Sequence, residues 1–193
     1  MLRSIALGLV VVAGLAAAPQ ARSTPIVFGA TLAGTNENPV NASPGTGIAW
    51  VTFDDDANTL RVEVSFSGLL GNVTASHVHC CTAPPTNVGV ATALPSFPGF
   101  PTGGTSGTYD RTFDTTLAST FSPGFIGTGT VAAAEAAFVN GMTNGLAYLN
   151  IHTTMFPGGE IRGFLHVVPE PGTLGLITAG LLGALALRRR KRG

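Results

Sequence analysis

The stretch Leu60-Arg61-Val62-Glu63-Val64-Ser65-Phe66 alternates apolar and polar residues without a break, and this constrains the fold more than any other feature. An extended strand sends successive side chains to opposite faces. Leu60, Val62, Val64 and Phe66 therefore share a buried face, and Arg61, Glu63 and Ser65 meet water. Comparable strand candidates lie at 26–32, 47–53, 73–79, 87–93, 105–113, 146–152 and 161–167. Between two of them, Asp54-Asp55-Asp56-Ala57-Asn58 is a hairpin turn signal. The surrounding chain is rich in Gly, Thr, Val and Pro, which favours strands and turns. Many short strands with Gly-rich turns imply an all-β, antiparallel sandwich or barrel. Two stretches break the rhythm. Residues 82–104 hold Pro84, Pro85, Pro95, Pro98 and Pro101 and predict a long, exposed excursion with little regular structure. Residues 131–140 are Ala-rich around Glu135, with Gly141 placed as a C-cap, and predict one short helix.

Both ends carry apolar runs that do not belong to this pattern. Arg3 precedes an apolar segment at 5–18, and small residues follow to Ser23. This is the layout of a signal peptide at 1–23, removed by signal peptidase with Ala21 or Ser23 as its last residue. The other end reads Val168-Pro169-Glu170-Pro171, then an apolar run at 174–187, then Arg188-Arg189-Arg190-Lys191-Arg192. The run is shorter than the ~20 residues of a comfortable transmembrane helix, so it predicts a transient membrane anchor. The basic cluster behind it stays cytoplasmic and orients the body outward. Two hydrophobic helices are thus expected to flank a body at 24–167.

The whole chain is formally neutral, but seven of its ten basic residues lie in the two ends. The body keeps Arg61, Arg111 and Arg162 against nine carboxylates, a net charge of minus six. An acidic body without a basic patch excludes nucleic acid as the expected partner. No phosphate-binding Gly motif, no Gly-x-Ser-x-Gly and no Cys-x-x-Cys is present, which argues against nucleotide use, serine hydrolysis and dithiol chemistry.

The C-terminal box, span and Arg-rich end, 168–193, resemble a PEP-CTERM sorting tail. That resemblance implies recognition and cutting by an exosortase, from an inner-membrane-anchored precursor to the cell surface or its polymer matrix. The body carries Thr31-Leu32-Ala33-Gly34-Thr35-Asn36-Glu37-Asn38-Pro39-Val40, then Ala75-Ser76-His77-Val78-His79, then Ala147-Tyr148-Leu149-Asn150-Ile151-His152-Thr153 and Gly158-Gly159-Glu160-Ile161-Arg162-Gly163. In this order they resemble the CHRD domain, named from chordin and common in bacterial exported proteins. The resemblance spans roughly 27–165 and implies a Greek-key-like β-sandwich without a settled biochemical activity. Cys80-Cys81 and the Pro-rich insertion depart from the simplest form of that domain.

His77 and His79, at i and i+2 of one strand, project from the same face. Cys81 joins them if the strand continues. His152, on the 146–152 strand, meets the pair if the two strands are neighbours or face each other. Two or three imidazoles with an optional thiolate form a copper or zinc set. The alternative is ordinary polar residues on a solvated sheet face, donating to carbonyls or cross-strand partners. Cys80 and Cys81 are the only cysteines; a vicinal disulfide, free or metal-bound thiols and an intermolecular bond all stay open. Glu160 and Arg162 share a face and are expected to form a surface ion pair or to reach Arg61 and Glu63. Glu160 as a further ligand near His152 is the alternative. Asp54-Asp55-Asp56 lacks the spacing of a calcium loop and reads as a solvated turn.

The sequence therefore reads as a non-enzymatic, exported binding or structural module of the cell surface or biofilm matrix. Extracellular polysaccharide or a surface protein would be its partner. The competing reading is a small extracytoplasmic copper or zinc protein using His77, His79 and His152. That reading requires the three ring nitrogens to converge, and it fails if His152 lies on the opposite sheet face.

Overall fold

The alternating stretch becomes the middle of an antiparallel hairpin. Strand β2 (Thr46–Asp54) pairs with β3 (Thr59–Ser67) in the register Val51↔Val62 and Phe53↔Leu60, so the apolar residues of both strands share one face. In the turn between them Asn58 has φ 52°, a left-handed conformation that Asn tolerates better than most residues. The computed structural model describes residues 23–169. The two apolar end segments expected as helices, the signal peptide and most of the sorting tail lie outside the described residues. Among the described residues, no helix is long and apolar enough to cross a membrane.

The remaining strands are β1 (Ile26–Ala33), β4 (Val73–Cys80), β5 (Gly107–Asp114), β6 (Ala147–Thr153), β7 (Ile161–Phe164) and the short β8 (His166–Val167). They join one continuous antiparallel sheet in the order β4-β6-β7-β1-β2-β3-β5, with β8 also on β1. The all-β, antiparallel class expected from the sequence is the one adopted. The sheet curls as a half-barrel around Phe28, Leu32, Val51, Val62, Val78, Leu149, Ile151 and Ile161, all fully buried. Each such side chain contributes roughly 1.5–3 kcal/mol through removal from water. Among the described residues, the fully buried core runs from Phe28 to Leu165. A chain spanning 24–168 therefore carries the whole of this described core.

The open side of the half-barrel is closed by helices and by the Pro-rich excursion. Helix α1 (Pro123–Ile126) is capped by Ser122, whose Oγ accepts from the Phe125 amide at 3.2 Å. Pro123 at its first position has no N–H to leave unpaired, which suits the start of a helix. Helix α2 (Val131–Thr143) is capped by Thr130 and buries Ala134, Phe138 and Met142. The expected helix thus runs three residues further than 131–140, and Gly141 lies inside it instead of ending it. The reason is packing: a Cβ on Gly141 would collide with the sulfurs of Cys80 and Cys81 beneath.

The excursion at 82–104 has little regular structure, as expected, and is exposed over much of its length, but it also sends side chains inward. Ala91, Thr92, Ala93, Phe97 and Phe100 are buried. Its 87–93 stretch forms isolated bridges instead of the expected strand, and it lies along the outer edge of β4. The Ala91 and Phe97 amides donate to Val78 O at 2.9 Å and Ser76 O at 3.1 Å, while Thr92 Oγ1 accepts from Val78 N at 3.0 Å. Edge groups of β4 are therefore satisfied by a segment whose prolines stop it from forming a full ladder.

Candidate functional site

Strands β4 and β6 are neighbours, and their register decides the site. His77 lies opposite Asn150, His79 opposite Tyr148, and Ala75 opposite His152. Val78, Cys80, Leu149 and Ile151 point into the core, so the alternate residues His77, His79, Tyr148, Asn150 and His152 share the other face. One ring nitrogen from each histidine lies within 4.8 Å of the other two. The structure thus brings together all three histidines singled out in the sequence, on one face.

Loops cover this face: His77 is 6% and His79 8% exposed, and His152 is half-buried. Each imidazole is held by one backbone carbonyl. His77 Nε2 donates to Pro95 O at 2.7 Å, His79 Nδ1 to Val88 O at 2.7 Å, and His152 Nδ1 to Pro157 O at 2.8 Å. A carbonyl only accepts, so these nitrogens carry the protons and fix the tautomers. The opposite nitrogens, His77 Nδ1, His79 Nε2 and His152 Nε2, are buried and have no hydrogen-bond partner. Burial lowers the pKa of all three rings despite the carbonyl bonds, that of His79 to about 4. Three neutral imidazoles with free lone pairs and carbonyl-anchored N–H groups make a preformed ligand set. Binding at the usual ~2.0–2.1 Å would draw the nitrogens to within ~3.5 Å of one another.

A second buried group supports the first. Arg162 Nε donates to Glu37 Oε2 at 2.9 Å and Nη2 to Asn87 Oδ1 at 2.7 Å, with Arg162 1% and Glu37 3% exposed. Burial raises the Glu37 pKa against the pull of the Arg162 charge. The guanidinium carbon sits 4.1 Å from the Tyr148 ring centroid, and Tyr148 stacks on His79 with centroids 4.8 Å apart. Asn87 adjoins Val88, so Arg162 and His79 hold the same piece of the excursion at consecutive residues. Gly159, at φ 131°, passes so close to Glu37 and Asn150 that a side chain there would meet both.

The structure corrects three expectations. Cys81 does not join the histidine face: β4 ends at Cys80, and the two cysteines form a vicinal disulfide packed under α2, on the core side. Glu160 is neither a surface residue nor near the histidine nitrogens. It is fully buried and accepts from Ser43 Oγ, Leu70 N and Thr153 Oγ1 at 2.6–2.7 Å and from Gly71 N at 3.1 Å. Burial pushes its pKa up, but these bonds outweigh that and hold it below the usual carboxylate value. Arg162 pairs with Glu37, and Arg61 pairs at the surface with Glu63 and Asp110. Glu37 lies in the 31–40 motif and Asn150 in the 147–153 motif, but sequence spacing carries no sign that Glu37 bonds Arg162 or that Asn150 pairs with it across β6 and β7. His166 is exposed and outside the cluster.

Fold and site together define an all-β domain with a buried, preformed histidine cluster behind its sheet. The chain belongs to the CHRD-domain family, whose model matches residues 28–165. Residues 167–191 match the PEP-CTERM protein-sorting motif, so this is an exported protein processed by exosortase. Its membrane-anchored precursor is directed to the cell surface or the extracellular space. No curated protein and no solved structure matches the chain.

Proposed function

We propose that this exported domain is a metal-binding module of the cell surface, holding a copper or zinc ion through His77, His79 and His152. The observation that carries the reading is the set of three buried, unpartnered ring nitrogens on one sheet face. A buried polar atom without a partner costs about 1–3 kcal/mol, and a bound ion would satisfy all three at once. In the same reading residues 1–23 are removed by signal peptidase, 24–167 form the working domain, and 168–193 anchor it transiently until exosortase cuts. The test is metal content and affinity of the 24–168 chain beside a His77→Ala/His79→Ala variant. Near-stoichiometric copper or zinc that disappears in a folded variant is expected. No metal in either protein would refute the reading.

A second reading, a non-enzymatic binding or structural module of the biofilm matrix, draws on the outer face of β2, where Ile48 and Trp50 are 49% and 43% exposed. On this face Thr31 and Ser65 flank Ile48 across the ladder and Trp50 lies between Gly29 and Glu63, an arrangement of indole and hydroxyls that suits an extracellular polysaccharide. Co-sedimentation with matrix polysaccharide, abolished by Trp50→Ala, would support it; co-sedimentation unchanged by that substitution would remove Trp50 from the argument.

A further inference from the structure

Building on the metal reading above, we infer that the three-histidine site selects monovalent copper, Cu(I), over Zn(II) and Cu(II). The donors are three neutral imidazoles, and no anionic side chain joins them. Among the described residues the metal-ligating cluster consists of His77, His79 and His152 alone. Glu37 is committed to Arg162, Glu160 to Ser43, Thr153 and two amides, and the cysteines are bonded to each other on the core side. The full charge of a bound ion would therefore remain in a buried, loop-covered space. The cost of burying an ion grows as the square of its charge, so a dication costs about four times a monocation of the same size. The guanidinium of Arg162 lies over Tyr148, which stacks on His79, so its charge further penalises added positive charge, although its pairing with Glu37 tempers this.

Coordination number points the same way. Zn(II) and Cu(II) favour four or more donors, whereas Cu(I) is content with three. Two buried side-chain oxygens near this face have no partner: Asn150 Oδ1, across the ladder from His77, and Glu37 Oε1, whose carboxylate is neutralised by Arg162 through Oε2 and lies outside the three-histidine cluster. A hard amide oxygen is what a dication would recruit and what Cu(I) would ignore. Asn150 therefore reports which ion the site is built for.

The experiment is an anaerobic titration of the 24–168 chain with Cu(I) against bicinchoninate, beside Zn(II) and Cu(II) titrations against colorimetric chelators. Thermal melts check that every variant is folded. Cu(I) should half-saturate the site at a free concentration on the order of a thousandfold below that of Zn(II). His152→Ala should weaken Cu(I) binding by at least about a hundredfold, while Asn150→Leu should change it by less than about threefold. If Zn(II) or Cu(II) binds as tightly as Cu(I), and the histidine variants abolish it, the metal site stands and Cu(I) selection is overturned. A loss of Cu(I) affinity of about tenfold or more in folded Asn150→Leu would overturn the three-coordinate arrangement. Failure of all three ions to bind would overturn the metal reading itself.

Discussion

Mild acid should destabilise the metal-free domain through His79, and the size of the effect follows from where its ring sits. His79 is 8% exposed, and burial takes its pKa from 6.5 to about 4. Between those values the unfolded chain binds a proton that the folded chain refuses, so stability is lost as pH falls. The contribution is fully present above pH ~6.5 and levels off below pH ~4, where the folded ring also protonates. A shift of this size corresponds to about 3 kcal/mol over the whole window, of which about 2 kcal/mol is lost between pH 7.5 and pH 5. His77 and His152 are shifted in the same direction and steepen the loss. Against a typical total of about 5–15 kcal/mol this is a large fraction. The assay is urea unfolding of the 24–168 chain with chelator, at pH 7.5 and pH 5, beside His79→Phe, which keeps a ring stacked on Tyr148. The wild-type midpoint should fall by about 1–2 M at pH 5, given slopes of about 1–3 kcal/mol/M, and the variant should fall by clearly less. Equal losses in the two proteins, or no loss in either, would refute the reasoning.

Three further outcomes are expected. Glu37→Ala strands the Arg162 charge in a buried site and should cost about 3–5 kcal/mol in urea unfolding, far more than breaking the exposed Arg61–Asp110 pair with Asp110→Ala, at about 0–1 kcal/mol. Gly141→Ala would gain about 1 kcal/mol of helix propensity on an exposed helix, but here its methyl meets the cysteine sulfurs, so a lower melting temperature is expected. Glu170→Ala in the sorting box should leave the tail uncut, and intact mass of the membrane fraction would then show a species that retains residues 174–193.

The parts of the fold legible in the sequence are those decided locally. The β2–β3 hairpin was readable because one strand alternates perfectly and an Asp-rich turn joins it to its partner. His77 and His79 were readable as a pair because i and i+2 must share a face. Whether His152 meets them depends on β4 lying next to β6, a matter of strand order that periodicity leaves open. The link between Arg162 and Glu37 spans 125 residues and follows from that same order. The buried part of 82–104, at 91–93, 97 and 100, is not legible because the prolines speak only of irregular backbone. Whether irregular backbone is buried is settled by what it covers, here the free edge of β4. The carbonyls of Val88, Pro95 and Pro157 that hold the imidazoles were invisible for a different reason: any residue supplies a carbonyl, so side-chain identity carries no trace of them.

Those three carbonyls come from irregular segments, two from the excursion and one from the β6–β7 connection. The histidine face is therefore a place where loop length is read out as proton position. Removing a residue between Val88 and Pro95 would pull one carbonyl away from its imidazole and free that ring to turn or change tautomer, without touching a histidine. The segment from Pro101 to Thr105 supplies none of the three anchors, and its own ties include those from Gly103 and Gly104 to Val73 at the start of β4. The segment from Asn87 to Pro95 is thereby tied to the site it covers, through backbone atoms that a change of loop length would move and a change of side chain would not.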